Sequence, residues 1–485
     1  MGLKKNSLVF SNMLWRFGER LGAKAVAFVV ELILARMLGP KAFAMVALIT
    51  IFTTILQVFV DSGLGNALIQ KKDADDVDFS TVFYINIGMC LFLYAIIFII
   101  APLIASFYHN PDMTAPIRVL GLTIIISGVK NVQQAYVSRN MLFKRFFFAT
   151  LGGTIGAAII GILMAYLGFG VWALVAQMLF NNLVDTIILW ITVKWRPKKV
   201  FSFDRFKGLF SYGWKLLVSS LIDTVYNDLR QLIIGKRYLD TDLAQYNQGK
   251  KFPMYLVTNI NASIDSVLLP TMSEVQDNKP AIKSMTRRAI KTSTYIMMPF
   301  MVGLAVCAYP LVHIILGDEW LPCVPFLRIF CFSYAFYPIH TANLNAIKAM
   351  GRSDIFLKLE VIKKIIGIIT ILITMWISVM AMAYSLLFIS VVSQILNSWP
   401  NKKLMNYSYY EQFKDLMPQL LLSVVMGVVV CSVQFLGLND ILSLLIQIPL
   451  GISIYLFGSK VLHLDSFEYI ISTVKGLLGK GKKTV

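Results

Sequence analysis

Arg16, Arg20 and Lys24 recur every four residues inside an otherwise apolar stretch, so on a helix all three project from one face. An ionised side chain at a bilayer centre costs at least about 2.5–3.5 kcal/mol, which directs such a face towards a partner or a water-filled cavity. Guanidinium and ammonium groups in series hold phosphate-type oxygens, and Arg16, Arg20 and Lys215 are read as attracting an anionic head group, with Lys24 on the same face. Arg16 and Arg20 lie within about two turns of a helix end, where snorkelling to the interface is the plainer reading; Lys24 is too deep for that. Two pairs, Lys24 with Asp223 and Glu31 with Arg230, are the candidates for contacts that either brace the bundle or open as a gate. Asp61, Asn66, Asn227, Asp228, Lys250, Asn259 and Asp265 are secondary candidates for a polar cavity, some of them serving only to satisfy neighbouring helices.

The remaining reactive residue types form no constellation. Cys90, Cys307, Cys323, Cys331 and Cys431 sit in apolar stretches without CxxC spacing or a nearby histidine and read as small packing residues. His109, His313, His340 and His463 are scattered along the chain, so no metal centre is expected.

The elements that must position these charges are membrane-spanning helices. Hydrophobic residues make up 57% of the 485 and charged residues only 15%, against roughly a quarter in soluble proteins. Hydropathy places spans near 12–37, 42–66, 80–107, 116–138, 148–167, 171–193, 209–235, 243–270, 288–316, 323–348, 356–378, 380–400, 416–436 and 440–459. Lys4, Lys5, Arg16, Glu19, Arg20 and Lys24 interrupt any signal-peptide apolar region, so the first helix is expected to remain in the protein. An even number of crossings puts both termini on one side. Lys71/Lys72, Arg139/Lys144/Arg145, Lys194 to Lys207, Lys279 to Lys291, Lys348/Arg352/Lys358, Lys402/Lys403/Lys414 and Lys475 to Lys483 all fall on that side, which the positive-inside rule makes cytoplasmic. The net charge of +19 is thereby spread over every such junction, as lipid contact and topology require, and is not gathered into a nucleic-acid-binding module.

An internal repeat organises the spans. At an offset of 199, Trp15-Arg16, Lys24 and Glu31 align with Trp214-Lys215, Asp223 and Arg230; at 204, Asp61-Ser62 and Asp73 align with Asp265-Ser266 and Asp277. Pro102-Leu103 and Arg118 resemble Pro310-Leu311 and Arg328. Six crossings per repeat preserve orientation, so the expected fold is an all-α integral membrane protein of about fourteen helices. It comprises a six-helix lobe over 1–193, a basic linker over 194–208, a second six-helix lobe over 209–400, and two appended helices with a basic tail over 401–485, which have no counterpart in the repeat.

Five segments carry a family resemblance: ARMLGPKAFAMVALITIF (35–52), VDSGLGNALIQKKD (60–73), YLGFGVWALVAQ (166–177), WRPK (195–198) and KAMGRSDIFLKLEVIKK (348–364). On these the chain resembles the polysaccharide-exporting, Wzx-type branch of the multidrug/oligosaccharidyl-lipid/polysaccharide superfamily, over about residues 8–400. The resemblance implies a flippase of the bacterial inner membrane that moves an undecaprenyl-pyrophosphate-linked glycan outward by alternating access, with helices 1, 2, 7 and 8 lining the cavity. It implies no resident cofactor, coupling to a Na+ or H+ gradient in some members, and other polysaccharide-assembly membrane proteins as partners. A cation-coupled drug exporter of the same superfamily is the rival reading, disfavoured by the basic first helix. A membrane glycan polymerase or ligase would need catalytic groups on a large outer loop, and the longest outer connection is only about 107–116.

Overall fold

Apolar runs become helices throughout, and the polar residues between them become caps. The computed structural model describes residues 2–61, 64–71, 73–140 and 142–480; the side chains of residues 2–21, hence of Arg16 and Arg20, and that of Asn66 lie outside the description. Contacts divide the chain into two units, 1–244 and 245–485. The first holds α1 (Gly2–Asp61), α2 (Leu64–Gln70), α3 (Asp76–Phe107), α4 (Thr114–Arg139), α5 (Phe143–Tyr166), α6 (Val171–Thr192), α7 (Phe203–Arg237) and the start of α8 (Asp240–Ser273). The second holds the rest of α8 with α9 (Lys279–Val306), α10 (Ala308–Leu316), α11 (Val324–Ala335), α12 (Tyr337–Ala349), α13 (Ser353–Thr374) and α14 (Val379–Ser398). It ends with α15 (Asn401–Met405), α16 (Tyr409–Ser432), α17 (Asp440–Val461) and α18 (Asp465–Lys480). This division follows packing, which places α7 on α1, α2 and α3; the sequence repeat, by contrast, begins its second half with α7.

The helix starts are written in the sequence. Asp75 accepts from the backbone of Val77 and Asp78 and forms a capping box at α3; Ser202 caps α7, Asn278 caps α9, and Ser408 with Glu411 makes a second capping box at α16. Inside α1, Gly39 takes φ 69°, ψ 178°, a conformation that glycine alone adopts freely, and Pro40 follows it. The kink breaks a 60-residue helix into two arms. At the equivalent point of the second repeat, Tyr238–Leu239, the chain leaves the helix altogether between α7 and α8.

Ten helices among the described residues are long and apolar enough to cross a bilayer, one of them the kinked Gly22–Asp61 segment of α1. At 40 residues that segment has about the length of two crossings. Of the fourteen spans expected from hydropathy, those that fail this stricter measure correspond to α7, α8 and α13, which have the length but too much polarity. The burial pattern is inside-out for a soluble protein: Ile99, Ile191 and Phe457 are each more than 70% exposed while Asp78, Asn86, Asn343 and Gln412 are fully buried. Lipid, not water, is the solvent that pattern suits.

Each unit has its own core. In the first, Leu34 and Val46 of α1 pack on Ala158 of α5 and Leu174 of α6, and a second cluster joins Leu68, Phe79, Val132 and Trp195 with Leu209. In the second, Met272, Ile282, Ala342 and Tyr407 pack with Leu416. Leu209 and Leu416 occupy matching places in a repeat that hydropathy alone passes over. Trp195, Lys198-Lys199, the cap Ser202, Phe206-Lys207 and Leu209 recur as Trp399, Lys402-Lys403, the cap Ser408, Phe413-Lys414 and Leu416. The lead-in to α16 is therefore a second copy of the lead-in to α7, so the appended pair does share this much with the repeat.

Candidate functional site

In the first unit, α1, α4, α6 and α7 line an open cavity of about 500 Å3. Its lining mixes apolar side chains, Val58, Leu120 and Met178, with hydroxyls and carboxamides: Thr50, Thr53, Thr54 and Gln57 from α1, Thr123, Ser127 and Gln134 from α4, Asn182 from α6, and Ser220 and Thr224 from α7. Local geometry decides what these groups can do. Thr50 Oγ1 donates to the Val46 carbonyl at 2.6 Å, Thr53 Oγ1 to Thr50 at 3.0 Å and Thr123 Oγ1 to Leu120 at 2.6 Å. Each hydroxyl proton is spent on its own helix, which leaves oxygen lone pairs for a ligand. These three oxygens consequently favour a partner that brings hydroxyl or N–H donors.

Asp61 lines the cavity, and Asp185 pairs with another lining residue, Lys130. Asp61 accepts from Gln57 Nε2 at 3.0 Å and from Asn131 Nδ2 at 3.3 Å. Lys130 Nζ donates to Asp185 Oδ2 at 2.9 Å and to Asn182 Oδ1 at 3.3 Å, with only 11% of the lysine and 14% of the aspartate side chain exposed. Removing one member of so enclosed a pair costs about 3–5 kcal/mol, because the other is left charged and unpaired.

Of the residues singled out from sequence, Asp61 lines this cavity and Lys24, Lys215, Asp223 and Asn227 are exposed. Glu31, Lys250 and Asn259 are half-buried, and Arg230 is buried. Asp228 accepts from Gln231 Nε2 at 3.1 Å, and Asn259 Nδ2 donates back to Tyr255 at 2.9 Å, a bond within its own helix. Helices α1 and α7, which carry the candidate partners Lys24/Asp223 and Glu31/Arg230, pack against each other within the first unit. Asp265 lies in the second unit and accepts from Asn345 Nδ2 at 2.7 Å. Asp61 with Asn131 and Asp265 with Asn345 thus repeat one arrangement in the two units, the second asparagine sitting one helical turn further from its arginine landmark. The landmarks repeat too: Arg118 Nε donates to the Phe98 carbonyl and Arg328 Nε to that of Ala305, both at 3.2 Å.

Sequence reasoning missed Lys130 and Asp185. The signal is present, since both are ionisable residues inside spans, but the internal repeat does not preserve them. His340 follows Arg328 by the same twelve residues (340 − 328) as Lys130 follows Arg118 (130 − 118), and His340 contacts Asn397 at 3.4 Å.

At the end of the molecule that carries the basic junctions, the first unit is stapled. Asp78, fully buried, takes Lys71 Nζ at 2.6 Å and Arg205 at 3.4 Å; Asp76 takes Trp195 Nε1 at 3.2 Å and Lys198 Nζ at 2.5 Å. The basic segment 194–208 also donates backbone N–H groups to Ser80 Oγ and Thr81 Oγ1, at 2.9 and 3.1 Å. In the second unit the polarity is swapped: Lys283, Arg287 and Lys291 on α9 face Glu411, Asp415 and Asp465. Outside the spans, the backbone N–H of Asp78 holds the Asp75 carboxyl below the usual range, and Lys291 does the same to Asp465.

A family model described as polysaccharide biosynthesis protein matches residues 33–325. The teichuronic acid biosynthesis protein TuaB of Bacillus subtilis is 24% identical over 84% of this chain and 85% of its own length. The succinoglycan biosynthesis transport protein ExoT of Rhizobium meliloti is 24% identical over 72% and 70%. Among solved structures, lipid II flippase MurJ in an inward closed conformation superposes with a TM-score of 0.74 at 16% identity, covering 93% of this chain and 99% of that one. That likeness concerns the fold.

Proposed function

This chain belongs to the polysaccharide biosynthesis protein family, and from that premise we propose that it is a flippase for a lipid-linked glycan. The substrate we propose is an undecaprenyl-pyrophosphate-linked oligosaccharide, carried from the cytoplasmic to the outer leaflet of the bacterial inner membrane by alternating access. Both termini then face the cytoplasm, as does the basic end of each unit. The observation that carries the reading is the cavity of about 500 Å3 among α1, α4, α6 and α7, whose wall offers lone pairs to a ligand rich in hydroxyl groups. A sugar is such a ligand. A bilayer would otherwise charge heavily for its passage, since each unpartnered polar group in hydrocarbon costs several kcal/mol. Lys215, Lys24, Arg16 and Arg20 are assigned to the anionic diphosphate on the cytoplasmic side, and the pairs Lys24/Asp223 and Glu31/Arg230 to the change of access.

The test uses purified protein in sealed vesicles with a fluorescent lipid-linked oligosaccharide, and a cationic dye offered in parallel. Movement of the oligosaccharide to the opposite leaflet, without dye accumulation, is expected. Dye export with a stationary oligosaccharide overturns the proposal.

A further inference from the structure

The helix α7 is 35 residues long yet too polar to count as an apolar span, and its exposed surface explains why. Phe210, Trp214, Val218 and Ile222, four residues apart, are 41–56% exposed. One residue after three of them, Lys215, Ser219 and Asp223 form a second exposed row. With 3.6 residues per turn the second row lies about 100° round the helix from the first. Further round in the same direction come Ser220 and Thr224, which line the cavity. A single helix therefore presents, side by side, an apolar row, a polar row headed by a lysine, and the cavity wall. Helix α17 makes the contrast: from Ile441 to Ile452 every exposed residue is apolar, the face of a helix that meets only hydrocarbon.

The geometry points to α7 as the rail for an isoprenoid diphosphate. This rests on the flippase reading above and adds the path: the hydrocarbon chain lies along Phe210, Trp214, Val218 and Ile222, the diphosphate at Lys215, and the glycan on the side of Asp223 and the cavity. The charge order fits that amphiphile. Lys215, nearer the capped, basic start of α7, meets the anion, and the carboxylate of Asp223 stands two turns on, about 12 Å away, where sugar hydroxyls are the donors. Phosphatidylcholine has a tail for the first row but no polyol for the second, so α7 should discriminate where α17 does not.

Photolabelling of the unmodified protein tests the path. One probe is a lipid-linked oligosaccharide with a diazirine in its isoprenoid chain; the other is a phosphatidylcholine with a diazirine in its acyl chain. The expected result is several-fold enrichment of adducts on residues 203–225 over 440–461 for the first probe, with no such preference for the second. In the vesicle assay, Lys215→Gln should slow translocation about tenfold, and Lys215→Arg should restore it. Equal labelling of both helices by both probes, while the oligosaccharide is still translocated, overturns the rail and leaves the flippase intact. Absence of both translocation and labelling above the phospholipid level removes the flippase reading and the rail together.

Discussion

The two units set the same landmarks to different uses. Both hold an aspartate against an asparagine, Asp61 with Asn131 and Asp265 with Asn345, and both lock an arginine onto the neighbouring helix. Beyond those landmarks they part. The first unit keeps an open cavity lined in part by Lys130, which pairs with Asp185. The second ties part of its interior with neutral cross-links. Asn343 donates to Gln412 at 2.9 Å and Ser398 at 3.3 Å and accepts from Asn401 at 2.6 Å, and all four residues are at most 1% exposed. Those bonds tie α12, α14, α15 and α16 into one block, whereas the polar groups that line the cavity of the first unit face a space. The difference teaches that pseudo-symmetry conserves the frame, while the side chains set around it differ between the units.

The largest effect should come from the ion pair. Lys130→Met leaves Asp185 enclosed and unpaired, lowering stability by about 3–5 kcal/mol and abolishing export. Adding Asp185→Leu should recover most of the melting temperature but little of the export, read as accumulation of lipid-linked glycan in a deletion strain. A double variant that exports normally breaks the comparison, because the charge would then serve only packing.

Second comes the neutral block. Asn343→Ala deprives Asn401 and Gln412 of a partner each and should cost about 1–3 kcal/mol by thermal melting. Export per folded molecule should be unchanged. A specific export defect there would mean that the second unit also handles the substrate.

Smaller in stability is the paired change Thr53→Val and Thr54→Val, which keeps shape and removes acceptors. Melting should move by no more than about 0.5 kcal/mol, as for substitutions that leave packing intact. Export should nevertheless fall several-fold.

The smallest effect concerns the ionic staples. Asp75 and Asp465 have folded pKa values below the ordinary carboxylate range, for which the Asp78 backbone N–H and Lys291 are the leading causes. A depressed carboxylate stabilises above its unfolded pKa and loses that contribution as pH falls through the folded value, so both staples weaken only under acid. Lys291→Met should flatten the acid limb of the stability profile for the second unit and leave the first unchanged, and hydrogen exchange at α3 and α18 would read the two separately.

Much of the frame could be read in advance. The Gly39-Pro40 kink and the Tyr238–Leu239 break fall where the offset between repeats puts them, and Arg118 and Arg328 make the same bond. Asp61 was found because its pattern repeats. Lys130 and Asp185 were passed over for the opposite reason, since a search guided by symmetry sees only what both halves keep. The hydroxyl wall was illegible for another cause: threonine and serine in a span are ordinary residues, and only the convergence of four helices turns them into a surface. The double-faced exposure of α7 likewise needed the neighbouring helices, because sequence periodicity does not say which face is covered.

Binding of a lipid-linked oligosaccharide to protein in nanodiscs, wild type against the Thr53→Val/Thr54→Val pair, tests the central claim most directly. If the cavity of the first unit takes the glycan, affinity falls about tenfold, the loss of one or two hydrogen bonds, while the melting temperature holds. Equal affinity in the two proteins would contradict the assignment of that cavity to the sugar.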